Sequence, residues 1–169
     1  KWAHDFKDLF GVTTQTWGFA ASPLVHGDLL ICLASGDGTT AVAFNKISGK
    51  EVWRSLSAKQ PGYCPPCIVK HEGRDLLLIW HPEAINALDP LNGKIYWRVP
   101  WKVRYGLTIT RPQMIDDEHL FLSSFYNGSN LLKLKEGEST PDIVYRTERA
   151  SERKTTHLHG IMNTPVLRD

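Results

Sequence analysis

Ala87-Leu88-Asp89-Pro90-Leu91-Asn92-Gly93-Lys94-Ile95-Tyr96-Trp97-Arg98 is matched 44 residues earlier by Ala43-Phe44-Asn45-Lys46-Ile47-Ser48-Gly49-Lys50-Glu51-Val52-Trp53-Arg54. The glycines and the tryptophans of the two copies share that offset. A weaker third copy runs through Leu132-Lys133-Leu134, a longer polar insert, and Ile143-Val144-Tyr145-Arg146, with Tyr145 in place of the Trp. The two close copies each have an apolar run, a turn opened by Asn45 or Asp89, a glycine for the positive φ of that turn, and a return strand ending in a tryptophan.

A second element stands ahead of each copy. It reads Ser22-Pro23-Leu24-Val25, Pro65-Pro66-Cys67-Ile68-Val69, Arg111-Pro112-Gln113-Met114-Ile115 and Thr164-Pro165-Val166-Leu167. Proline is tolerated at the first residue of a strand, where no ladder donor is lost. Gly27-Asp28 and Glu72-Gly73 then read as tight turns into the apolar runs Leu29–Cys32 and Leu76–Trp80. No capped pattern of helical period extends over two turns. The expectation is therefore four antiparallel strands per repeat of about 45 residues, the signature of a propeller blade. The fold class is all-β, a partial β-propeller of about three complete four-stranded blades forming an open arc.

At these residues the chain resembles the propellers with pyrroloquinoline-quinone-type repeats. Their blade motif is similar to Ala-Leu-Asp-x-x-Thr-Gly-Lys-x-x-Trp. It stands here as Ala87 to Trp97 with Asn92 for Thr, and as Ala43 to Trp53 with departures at Phe44, Asn45 and Ser48. The stretches Trp17–Val25 and Ile79–Ala84 resemble secreted or periplasmic bacterial, planctomycete-like members. The resemblance implies a periplasmic or secreted location. It also implies the division 1–16 (end of a preceding blade and linker), 17–61, 62–109, 110–158 and 159–169 (start of a next blade). Trp2 stands where a blade-final Trp would fall, so both terminal blades are expected to expose apolar faces. Gly49, Trp53, Asp89, Gly93 and Trp97 are the structural blade motif. The fold itself does not fix function, since it hosts quinone-dependent dehydrogenases and non-catalytic scaffolds alike.

Composition narrows the partners. The 169 residues carry 20 basic and 18 acidic side chains, a net charge of +2. Such a balance gives no electrostatic footprint for nucleic acid. No apolar run reaches the roughly 20 residues of a membrane helix.

Several residues carry candidate chemistry. Cys64-Pro65-Pro66-Cys67 has the spacing of redox and zinc sites. Cys64 and Pro65 each precede a proline, however, and are pushed to extended backbone. Three such residues span about 9 Å, whereas a disulfide needs Cα atoms within about 7 Å, so both cysteines are expected to be free thiols. His157 and His159 could place two imidazoles on one strand face, without a third ligand nearby. Asn127-Gly128-Ser129 has the form of a glycosylation sequon and equally of a glycine turn.

Trp53, Trp97 and Tyr145 hold repeat-equivalent positions and are expected to pack between blades. Trp17, Tyr63, Trp80, His81, Arg104, Tyr105 and Arg111 break the repeat and are the ligand-binding candidates for a channel-mouth site. Their partner would be a protein, a small molecule or a carbohydrate stacked on Trp17 and Trp80. The quinone-dependent dehydrogenases that the resemblance brings to mind use an adjacent Cys-Cys pair, a calcium site of Glu and Asn, and an Asp base. Because this chain has no Cys-Cys pair and no recognisable base motif, no cofactor, metal or catalytic residue is assigned. The reading is a non-catalytic extracytoplasmic scaffold, with a quinone-dependent dehydrogenase fragment and a carbohydrate-associated propeller as alternatives.

Overall fold

The computed structural model describes residues 1–147, 158, 160 and 162–166. His157 and His159 lie outside the described residues. Among the described residues twelve strands form three four-stranded antiparallel sheets, each in simple sequential order. The first sheet holds β1 (Leu24–His26), β2 (Leu29–Leu33), β3 (Ala41–Asn45) and β4 (Glu51–Ser55). The second holds β5 (Cys67–His71), β6 (Arg74–His81), β7 (Ala84–Leu88) and β8 (Ile95–Pro100). The third holds β9 (Gln113–Met114), β10 (His119–Ser124), β11 (Gly128–Lys133) and β12 (Asp142–Arg146). The chain is a partial β-propeller, and the sheets are its blades.

The repeat is visible in the register. Ala43 pairs with Trp53, Ala87 with Trp97 and Leu131 with Tyr145, and each pair is followed at once by a bulge in the ladder. The turns between β3 and β4 and between β7 and β8 are built alike. Asn45 Oδ1 accepts from the Ile47 and Ser48 amides, and Asp89 Oδ1 accepts from the Leu91 amide. Gly49 and Gly93, both at φ 73°, then donate to the carbonyls of Asn45 and Asp89.

Two cores lie between sheets. Leu29, Ile31, Ala43 and Trp53 of the first sheet pack on Leu77, Ile79 and Leu88 of the second. Leu76, Leu78, Trp80 and Trp97 of the second pack on Leu120, Leu122 and Leu132 of the third. This is why Leu76–Trp80 reads as an unbroken apolar run instead of alternating: β6 is covered on both faces. The alternation of strand side chains sends odd positions one way and even positions the other.

The two outer faces differ. The structure confirms exposed apolar side chains on the third sheet, where Ile143, Val144 and Tyr145 are all exposed. It corrects the same expectation for the first sheet, where Val42 and Phe44 are buried. The segment before β1 covers them. Trp2, His4 and Phe6 crowd the Phe44 ring at centroid distances of 5.9, 5.0 and 6.3 Å. Trp2 is not in a strand, but its indole donates to the Lys46 carbonyl at 3.2 Å, just as Trp53 donates to Pro90 at 3.1 Å. One helix, α1 (Phe6–Phe10), was not expected. It is capped by the Asp5 side chain and closed by Gly11 in the left-handed conformation. Five residues are too few to show a helical period.

Tyr145 also departs from expectation. It does not pack between sheets but lies partly exposed, its hydroxyl 2.9 Å from Ser129 Oγ. It faces away from the second sheet, where the described residues offer no further sheet. Likewise Thr164-Pro165-Val166 forms no strand.

Candidate functional site

Antiparallel order places the β1–β2 and β3–β4 type turns at one end of every sheet. The loops between second and third strands, and the linkers from sheet to sheet, meet at the other end. At that end the linkers pack side by side. Gln15 Nε2 donates to the Gly62 carbonyl, and the Tyr63 amide donates to Thr108 O at 2.9 Å. The Val103 and Trp101 amides donate to Pro82 and Glu83 carbonyls, tying the third linker to the β6–β7 turn. Asn127 binds the same linker at both ends of its amide, accepting from the Arg104 amide and donating to Lys102 O. That double use makes Asn127 a structural brace.

These contacts leave a cavity of about 400 Å3, lined by Gln15, Lys59, Gln60, Glu83, Lys102 and Tyr105 among others. Tyr105 is 74% exposed and sits at φ 56°, a left-handed conformation that a non-glycine residue adopts at a cost. Its ring meets Tyr126 edge-on at 5.2 Å. Glu83 Oε1 accepts from the Lys59 amide at 3.1 Å, which orients the carboxylate at the rim.

The structure sorts the candidate residues into three places. Trp17 and Tyr63 come together at the linker end, their rings 5.5 Å apart and steeply inclined. Trp17 is 61% exposed. Arg104 and Tyr105 form a short 3-10 turn at the cavity rim. Arg111 is exposed, its amide donates to Thr164 Oγ1 at 3.1 Å, and its charge lies close enough to Cys64 and Cys67 to act on both thiols. Trp80 and His81 are the correction. Each is 1% exposed, so neither offers a surface to a ligand in this structure. Trp80 stacks on Trp101 with centroids 5.3 Å apart and planes within 5°. Both residues end the doubly covered strand β6, which explains their burial.

Burial holds His81 far from its ordinary behaviour. Desolvation lowers its pKa to about 4, with Arg98 adding to the effect and Glu83 opposing it. The neutral ring accepts from the Glu83 amide through Nδ1. Cys64 and Cys67 are free thiols, as the prolines between them require. Desolvation raises both, and Arg111 opposes the rise. Among the described residues no cluster of His, Cys, Asp and Glu could hold a metal ion.

Gln15, Lys59, Gln60, Glu83 and Lys102 carried no sequence signal. They stand in linkers and loops, outside the repeat, and are brought together by the lateral packing of sheets.

No family model matches the chain, and no curated protein matches it. Among solved structures, 35 chains match. One is BamB from Moraxella catarrhalis, with a TM-score of 0.53 and 16% identity, covering 85% of this chain. This chain spans 42% of that one. The similarity is one of fold, a β-propeller.

Proposed function

We propose that the chain is part of a non-catalytic, extracytoplasmic propeller with pyrroloquinoline-quinone-type repeats, whose linker end binds a partner protein. The blades in this reading are 17–61, 62–109 and 110–158, flanked by portions of two others. The observation that carries the proposal is the concentration of repeat-breaking, exposed side chains at one end. Trp17 stands there exposed against Tyr63, and Tyr105 lines the cavity, held in a strained backbone conformation with its ring exposed. At the opposite end the turns of the first two sheets follow the repeat. Exposed aromatics on a rigid scaffold are the usual anchors of protein recognition. The alternative in which sugars stack on Trp17 and Trp80 loses Trp80 to the core.

The test is site-specific photocrosslinking in the native host. A photoreactive residue replaces Trp17 or Tyr105 at the linker end, or the exposed Ile47 or Leu91 at the other end. One protein should be captured from Trp17 and Tyr105 and none from Ile47 and Leu91. Capture from Ile47 and Leu91 alone, or from no position, overturns the proposal.

A further inference from the structure

Between the second and third sheets, near the linker end, several buried polar atoms have no hydrogen-bond partner among the described residues. They are Trp80 Nε1, Asn130 Nδ2 and Oδ1, Ser124 Oγ, and Arg146 Nε and Nη2. The topology brings them to one place. Asn130 is the cross-strand neighbour of both Leu122 and Arg146, and Leu122 lies in the core shared with Trp80 and Trp101. The Arg146 guanidinium lies over the Trp101 ring at 5.9 Å, and Trp101 is itself stacked on Trp80. Ser124 is two residues beyond Leu122 and points to the same side. Trp80, Ser124 and Asn130 are each 1% exposed or less.

The equivalent residues in the other sheets are partnered at least in part, although Asn86 Oδ1 is itself without a hydrogen-bond partner. Arg54, at the place of Arg146, makes a two-point ion pair with Glu51 at 2.7 and 2.8 Å. The residue three before Arg146 is Ile143, which offers no carboxylate. Asn86, at the place of Asn130, donates to the Ile79 and Ala84 carbonyls. Only in the third sheet does the repeat leave both side chains without a protein partner.

The unmatched atoms are mostly donors, and one group carries a charge. Burying two guanidinium nitrogens without a partner is unfavourable, and desolvation lowers the Arg146 pKa. Water could fill such a place, but water must also donate two hydrogens, and Asn130 Oδ1 is the sole pure acceptor in the group. An anion only accepts, which suits a set made mostly of donors, and it neutralises the charge, leaving water to serve Asn130 Oδ1.

We propose that a small inorganic anion of halide size, chloride under cellular conditions, binds between the second and third sheets on Arg146, Trp80, Asn130 and Ser124. It bridges the two blades through groups that hydrophobic packing leaves unpaired, so binding stabilises the fold.

Thermal unfolding of the whole chain, with sodium chloride replacing sodium gluconate at constant ionic strength, reads this directly. The melting midpoint should rise by several degrees with chloride and level off, and bromide should act likewise. Gluconate is too large to enter. Arg146→Met, which keeps the length and apolar contacts of the stem, should remove the chloride dependence. Crystals grown in bromide provide a second readout on the unaltered protein, with an anomalous peak within hydrogen-bond reach of Arg146 and Trp80. A midpoint indifferent to the anion, or bromide crystals with no peak there, overturns the proposal.

Discussion

The indole of Trp53 lies so close over Gly93 that a Cβ on Gly93 would stand 2.6 Å from Trp53 Cε3. Trp2 bears the same relation to Gly49, at 2.5 Å, so these two indoles are each seated on the turn of the following unit. The glycine is needed twice, for its positive φ and for the space above it.

Gly93→Ala tests this against Gly137→Ala. Both positions have positive φ, but nothing lies within 4 Å of a Cβ on Gly137. Gly137→Ala should cost about 1–2 kcal/mol of backbone strain. Gly93→Ala should add about 1–3 kcal/mol from overlap with the indole. Urea unfolding of the two variants measures the difference, and equal losses would show that the seat is not tight.

Stability should fall on mild acidification through His81. Its folded pKa of about 4 is below the ordinary 6.5, so the unfolded chain takes up the proton first. Stability from this group is complete above about pH 6.5 and declines toward pH 4, by about 3 kcal/mol in all. His81→Asn, which keeps an acceptor for the Glu83 amide, should flatten the decline across that window. Denaturation midpoints at pH 4.5 and 7.5 would show it. An unchanged slope in the variant would assign the acid sensitivity elsewhere.

The thiols should be inert while the chain is folded. Burial raises Cys32 to about 11 and holds Cys64 and Cys67 above their usual range, so little reactive thiolate exists near neutral pH. Iodoacetamide at pH 7.5 should modify the native protein slowly and all three cysteines in urea quickly, as mass spectrometry would record. A diamide-induced loss of two hydrogens between Cys64 and Cys67 would contradict the extended geometry of their prolines.

The uncovered face of the third sheet should make the isolated chain self-associate. Ile143, Val144 and Tyr145 stand exposed in succession on the edge strand β12, and exposed edges template association. Light scattering should show larger species that diminish when Tyr145, which faces away from the second sheet, is replaced by lysine. A monodisperse monomer in the unaltered chain would count against this reading of the face.

The repeat was readable in the sequence because it is local chemistry. Asn45, Asp89, Gly49 and Gly93 determine their turns through bonds within five residues, and the turns set the strand pairing of Trp53 and Trp97. The prolines at 65 and 66 likewise determined that Cys64 and Cys67 stay unbridged. Helix α1 left its mark as Asp5 and Gly11, two caps around a segment too short for a period. What only the tertiary structure decided is which irregular residues reach solvent. Trp17 and Trp80 look alike as repeat-breaking tryptophans. Yet Trp17 is exposed on a linker, while Trp80 ends a strand enclosed by two neighbouring sheets. The same lateral packing gathers Gln15, Lys59, Glu83 and Lys102 around one cavity and brings Arg146 over the Trp101 ring. Burial and pairing across blades depend on residues distant in the chain, such as Lys59 and Glu83, 24 positions apart, or Gln15 and Gly62, 47 apart, and a local pattern holds no record of them.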